Sequence, residues 1–256
     1  MANDLQSFVE LLEARDQLVR ISQPVSPALE MTEIVDRVSK GAAAENKALL
    51  FDNPAGYDVP VLMNLFGSER RAAWALHVEE LEALRENLAA LLDTQLPEGP
   101  IPALKRGKAL LDALRSAGLR PRRVRNGPAQ EIVEKEAPSL DFLPILTCWP
   151  DDGGPFITLP QVVTRHPETG ARNVGMYRLQ KVDERTLLVH WQRHKGGAEH
   201  QRAALAADSG MGKERRGGPA PGTPPRSARP TIPAAVVLGG DPACIWSASA
   251  PLPPGI

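Results

Sequence analysis

Between Pro155 and Gly197 the sequence reads PFITLPQVVTRHPETGARNVGMYRLQKVDERTLLVHWQRHKGG, and no other stretch limits the fold as much. Val, Ile, Thr and Leu dominate three extended runs, the residue types that suit a pleated, half-buried surface. Pro167-Glu168-Thr169-Gly170 and Asp183-Glu184-Arg185 separate the runs as turns. The pattern predicts a β-meander. Its strands carry an unusual polar set: Asn173, Tyr177, Arg178, Gln180, His190, Trp191, His194 and Lys195. A purely structural hairpin does not need two His, an Asn and an Arg on its middle strands, whereas Tyr177 and Trp191 read more readily as packing. Strict alternation places Asn173, Gly175 and Tyr177 on one face, with Val174, Met176 and Arg178 on the other. For Asn173 and Arg178 to serve one site, the strand must bulge near Gly175 or a ligand must wrap along it. The next strand would put Leu188, His190, Gln192 and His194 on one face. An Asn oxygen and a His nitrogen on adjacent strands are donors for a hard or borderline metal. A hydrogen-bonded structural role is the competing reading of the same residues.

Upstream, helical and extended patterns alternate. Apolar residues at helical spacing predict a helix over 4–18, capped by Asn3 or Asp4. A short strand follows over 18–22. Ser26-Pro27 reads as N-cap and first helical position of a second helix, stopped near Gly41. Strands are expected over 48–51 and 59–63, and helices over 68–77, 79–93 and 105–117, with a Pro-rich connector over 95–102. These alternations predict an α/β domain over residues 1–125. The cluster Arg120, Arg122, Arg123 and Arg125 reads as a solvated linker, with an anionic-ligand role as the alternative.

A second domain is expected over 126–256. The apolar run 140–148 enters it, the Asp151-Asp152-Gly153-Gly154 turn follows, and the meander comes next. A short helix is expected over 198–207. Residues 209–233 contain eleven Gly or Pro in 25 positions, which predicts a flexible excursion. A strand over 234–238 leads through Gly239-Gly240 to Asp241 and Pro242, an N-cap and first helical position for a helix over 243–250. The sequence then ends on the apolar, turn-like PLPPGI, which reads as an interruption in mid-domain.

Bulk properties exclude several classes. A formal net charge of -1 argues against a partner held by phosphate contacts, so no nucleic acid is expected. Cys148 and Cys244 stand far apart with no CxxC spacing, which disfavours a disulfide framework or thiolate zinc site and fits a reducing cytoplasm. No uncharged apolar run approaches the roughly 20 residues of a membrane span. There is no GxSxG, HExxH or GxGxxG element.

Several segments in order carry a resemblance: DLQSFVELLEARDQLVRI, ALLFDNPAGYDVPVLMNLFGS, PILTCWPDDGGPFIT, ITLPQVVTRHPETGARNVGMYRLQ, HWQRHKGG and AVVLGGDPACIWSASAPLPPGI. Together they resemble the UbiD family, carboxy-lyases that use prenylated FMN. The resemblance implies an α/β N-terminal domain followed by a split β-barrel flavin-binding domain. It implies non-oxidative decarboxylation of an aromatic or α,β-unsaturated acid, of the 4-hydroxy-3-polyprenylbenzoate type in ubiquinone or menaquinone biosynthesis. The family's metal-binding Asn and His fall on Asn173 and His194, for Mn2+, with K+ nearby in some members. Its cofactor contacts fall on Met176, Tyr177, Arg178, His190, Trp191, Gln192, Lys195 and Gly196, and its catalytic Arg falls on Arg178. It further implies a flavin prenyltransferase as cofactor supplier, a homo-oligomer at full length, and a location in the cytoplasm, with a place peripheral to the inner membrane as the alternative. The third metal ligand, a Glu, and the acidic partners of Arg178, including the proton donor, would lie beyond Ile256. This chain alone is therefore expected to be inactive. Two other readings fit: a non-catalytic flavin-binding fragment or inactive paralogue acting in assembly, and an ordinary FMN oxidoreductase.

Overall fold

The computed structural model describes residues 4–92, 107–108, 124–209 and 230–250. The expected connector over 95–102, most of the helix over 105–117, Arg120, Arg122 and Arg123, most of the Gly/Pro-rich excursion and the ending PLPPGI lie outside them.

The first helix, α1 (Leu5–Ala14), starts where its cap allows. Asp4 Oδ1 accepts the Ser7 N–H at 2.7 Å, and the Ser7 hydroxyl oxygen accepts the Asp4 N–H at 3.3 Å. Two of the helix's otherwise orphaned donors are thereby satisfied. Phe8 and Leu12 lie one turn apart and are both fully buried. The chain then forms β1 (Leu18–Ile21), α2 (Glu30–Lys40) and β2 (Ala48–Phe51), with β1 and β2 parallel. β3 (Val61–Met63) adds antiparallel to β2. All four residues of β2 are buried, as expected of a central strand covered on both faces.

The second helix begins later than Ser26-Pro27 predicts. Residues 27–29 are drawn into tertiary pairing instead: Leu29 N–H donates to Thr147 O at 2.8 Å, and Thr147 N–H donates to Pro27 O at 3.2 Å. Leu29 takes φ 71°, the Glu30 N–H closes a tight turn onto Ala28 O, and helical geometry starts only at Glu30. A long-range bridge has overridden a local start signal.

α3 (Glu69–Ala75) is capped by Ser68, and α4 (Leu81–Leu92) follows. Arg71 of α3 is fully buried among neutral groups. It donates to the backbone oxygens of Asn46 and Asn64 and to Asn46 Oδ1. Burial pushes its pKa down from the ordinary arginine value.

The 140–148 run forms no strand. It is pinned to both parts of the fold by single bridges, Ala28 to Thr147 and Leu146 to Phe156. Leu146 packs with Val25, Met31, Leu49 and Phe51, and Cys148 lies against the same cluster.

Six strands follow in two antiparallel sheets. One has the order β4 (Phe156–Ile157), β7 (Leu179–Lys181), β8 (Leu187–Val189). The other has the order β6 (Arg172–Met176), β5 (Gln161–Arg165), β9 (Ala234–Val237). Between β8 and β9 in sequence lies α5 (Gly196–Ser209), longer at both ends than the predicted 198–207, and it packs on β5 and β6. Finally α6 (Pro242–Ser247) forms as its signals predict, with Asp241 Oδ1 accepting the Ala243 N–H at 2.8 Å. Trp246 meets Phe66 edge to face at 5.3 Å, which ties this helix to the first part of the chain. No helix among the described residues is long and apolar enough to cross a membrane.

Candidate functional site

The predicted meander is two hairpins in two different sheets. β5 pairs with β6, β7 pairs with β8, and the chain leaves one sheet for the other at Tyr177 and Arg178. The strict alternation expected through Arg178 therefore stops at Met176, whose N–H donates to Ala248 O at 2.8 Å. The β5–β6 register runs unbroken through Gly175, so no bulge brings Asn173 and Arg178 together, and the change of sheet leaves them facing different surroundings. The following strand ends at Val189. Gln192 and His194 thus lie in the turn before α5, not on a strand with Leu188 as alternation predicts.

On the Asn173 side the contacts are close and need glycine. Asn173 sits opposite Thr164 in register, half-buried, beneath the start of α5. A Cβ on Gly196 would collide with Asn173 Oδ1, and one on Gly197 would collide with the Trp191 ring. A Cβ on Gly175 would overlap the Tyr177 ring. Tyr177 is buried at 3% exposure, and its hydroxyl accepts the Gly197 N–H at 3.0 Å. Tyr177 and Trp191 meet edge to face at 4.7 Å, a favoured aromatic geometry. Lys195 Nζ lies 5.5 Å from the Tyr177 ring centre, within cation–π range. Asn173 Nδ2 is buried with no hydrogen-bond partner, an unmet donor beside this clamp.

On the Arg178 side the site is open. A cavity of about 420 Å³ is lined by Phe156, Arg178, Gln180, Leu188, Val189 and His190. The Arg178 guanidinium lies 3.7 Å from the Phe156 ring centre, and its Nη2 donates to Asp152 Oδ2 at 2.7 Å. Nε and Nη1 have no partner among the described residues. Register explains the grouping: Phe156 faces Gln180, and Gln180 faces Leu188. The His190 N–H reaches Arg178 O at 3.4 Å and prolongs the ladder by one step. Gln180 Nε2 donates to Gly153 O at 2.5 Å, fixing the Asp152 loop over the strand.

The structure thus groups Asn173, Tyr177, Trp191, Lys195 and Gly196 on one side, and Arg178, Gln180 and His190 on the other. Met176 stands between them, half-buried. His194 is exposed, and its side chain makes no hydrogen bond among the described residues. Arg178 was expected to find its acidic partners only beyond Ile256, but Asp152 already pairs with it. In the sequence Asp152 reads as a turn residue, and neither Thr164 nor His200 stands in a motif. The alternation of Val162, Thr164 and His166 was the available signal for Thr164.

The donors fit part of what the resemblance implies. Asn173 and His194 offer one oxygen and one nitrogen, suited to a borderline divalent cation. No group of three or more His, Cys, Asp or Glu side chains placed to hold a metal occurs among the described residues. Lys195, the start of α5 and the unmet Asn173 Nδ2 suit an anionic, hydrogen-bonding ligand such as a flavin phosphate.

Two family models match. One, the 3-octaprenyl-4-hydroxybenzoate carboxy-lyase Rift-related domain, covers residues 122–256; the other, the N-terminal domain of the same enzymes, covers 9–91. An uncharacterized protein of Archaeoglobus fulgidus is 45% identical over 253 residues, spanning 99% of this chain and 46% of that protein. Among solved structures, vanillic acid decarboxylase of Sedimentibacter hydroxybenzoicus in closed form superposes with a TM-score of 0.74 at 22% identity, over 99% of this chain and 46% of that one. An evolved dimeric form of the UbiD-class enzyme HmfF from Pelotomaculum thermopropionicum, in complex with prFMN, gives 0.73 at 23% identity, over 100% and 48%. The chain spans about half the length of the relatives it matches. On the two family models, which together match most of its length, this chain belongs to the UbiD family.

Proposed function

We propose that this chain forms the front half of a decarboxylase site that takes prenylated FMN and an aromatic or α,β-unsaturated carboxylic acid. The observation that carries the reading is Arg178, held by Asp152 and Phe156 at the mouth of a cavity, with two guanidinium nitrogens unused among the described residues. A planar, always-charged guanidinium is suited to grip a carboxylate through two hydrogen bonds. Phe156, Leu188 and Val189 give the cavity an apolar wall for the carbon skeleton.

Decarboxylation breaks one C–C bond, releases carbon dioxide and leaves an electron pair that must be held until a proton arrives. No side chain in this cavity is such a sink; the cofactor supplies it when bound. The chain's own residues bind and orient. Lys195 and Gly196 would take an anionic end of the cofactor, and Asn173 and His194 would contribute ligands to Mn2+, with K+ as a further ion. Met176, Tyr177, His190, Trp191 and Gln192 would contact the flavin. Arg178 aligns the substrate carboxylate. The proton donor and third metal ligand come from outside these residues, so the 256-residue chain alone is expected to release no carbon dioxide. In this reading the two sheets would belong to a split β-barrel domain assigned to 126–256, preceded by an α/β domain assigned to 1–125. A prenyltransferase supplies the cofactor in a reducing cytoplasm, as the free cysteines suit. The substrate is of the hydroxybenzoate type, with a polyprenyl tail in the ubiquinone-pathway members, and the full-length protein is a homo-oligomer.

The second reading, a non-catalytic flavin-binding fragment, is favoured by the exposed His194 and the missing third ligand among the described residues. One experiment separates the two. The chain is fused to the remaining half of the Archaeoglobus fulgidus relative and loaded with prenylated FMN, and carbon dioxide release is measured on a panel of aromatic and unsaturated acids. Release that Arg178→Ala abolishes is the expected result. A fusion that binds flavin without releasing carbon dioxide from any of them supports the second reading.

A further inference from the structure

The first turn of α5 is held at three points. Two lie within the candidate site: Gly197 N–H on the Tyr177 hydroxyl, and Gly196 against Asn173. The third lies behind it. His200, four residues after Gly196, has its Nδ1 at 2.9 Å from Thr164 Oγ1. Both groups are buried, at 6% and 1% exposure. Thr164 is the direct register partner of Asn173 across β5 and β6. His166, on the same strand face, braces the His200 ring edge to face at 5.4 Å. A buried hydroxyl–imidazole bond is costly to leave half-made, so it fixes one relative placement of helix and strand pair.

We propose that Thr164 and His200 are positioning residues for the flavin-binding turn. Their bond locks the start of α5 onto the strand pair that carries Asn173. That lock sets where His194, Lys195 and Gly196 stand relative to the Asn173 amide. Neither residue touches the ligand; each acts through the helix. The inference rests on the flavin reading of the same turn, so its test has one arm that does not depend on flavin.

In the first arm, FMN affinity is measured for the wild-type chain, Thr164→Val, His200→Leu, the double variant and His200→Asn. Thr164→Val keeps shape and removes the hydroxyl, and Asn can present a polar atom near the Nδ1 position. Each single loss is expected to weaken binding by about 3- to 10-fold, the worth of one hydrogen bond. The double variant should be no weaker than either single one, because both break the same bond. His200→Asn should recover most of the affinity. Folded variants with unchanged affinity, or losses that add in the double variant, overturn the proposal.

In the second arm, amide NMR of the ligand-free chain follows the Gly197 N–H and the Asn173 side-chain amide. The proposal expects both to shift in Thr164→Val and to return toward wild type in the recovered variant. Unshifted signals overturn it. If the wild type binds no FMN, the flavin reading fails and this arm alone decides whether the lock positions the turn.

Discussion

The two sides of the switch at Tyr177 and Arg178 are held in different ways. The Asn173 side is closed: glycines at 175, 196 and 197 let rings and an amide approach the backbone so closely that a single Cβ would collide. The Arg178 side is open: one ion pair and one ring face steady an exposed guanidinium beside a cavity. Close packing fixes geometry before a ligand arrives, whereas an exposed ion pair contributes little stability and can rearrange. The difference suits a division of labour. Under the proposed function the closed side would hold the cofactor and the open side would meet the substrate.

The largest expected break is on the closed side. Gly197→Ala pushes a methyl into the Trp191 ring and should destabilise the chain by roughly 1–3 kcal/mol, as overpacking does, with flavin binding lost as well. Urea unfolding of the variant beside wild type measures it. Next comes Arg178→Lys on the open side. It should leave unfolding within about 0.5 kcal/mol of wild type, yet weaken binding of a benzoate-type acid by roughly 10- to 100-fold. Calorimetry with the flavin-loaded chain tests this, and equal losses in both quantities would erase the contrast between the sides. Asp152→Asn should be milder. It frees Arg178 from its partner at a pair where the guanidinium is 42% exposed, so stability should change by less than about 1 kcal/mol. Removing a competing carboxylate should tighten binding of the acid.

The smallest effect is a pH dependence. Burial, then the neighbouring His166, holds the His200 imidazole below its ordinary 6.5, with Glu199 pulling the other way. A base held low binds fewer protons folded than unfolded. Its contribution to stability is therefore complete above about pH 6.5 and declines as pH falls through that value toward the folded pKa. Unfolding curves at about pH 7.5 and about pH 5.5 should show a larger loss for wild type than for His200→Gln.

Local signals carried much of the fold. The Asp4, Ser68 and Asp241 caps all start helices where they stand, and the β-rich runs all contain strands. The failures were tertiary. Pro27 gave way to a bridge with Thr147, and the strand through Asn173 broke because the chain changes sheets. Periodicity cannot show such a change, since both halves read as extended. On the closed side the residue types alone favoured packing for Tyr177 and Trp191, and the two rings do pack together, while the cofactor roles of Tyr177, Trp191, Lys195 and Gly196 came only from the family resemblance. Asp152 was not legible, because its partner lies 26 residues away and the Asp-Asp-Gly-Gly run already had a sufficient explanation as a turn.

The most direct test of the account is a flavin titration. FMN is added to the 256-residue chain and its fluorescence is followed, for wild type, Lys195→Ala and Asn173→Leu. The account predicts saturable one-to-one binding, weakened by roughly tenfold or more in each variant, because each loses a charged or hydrogen-bonding contact to the ligand. No saturable binding, or binding that neither substitution alters, would contradict the claim that this turn is built to hold a flavin.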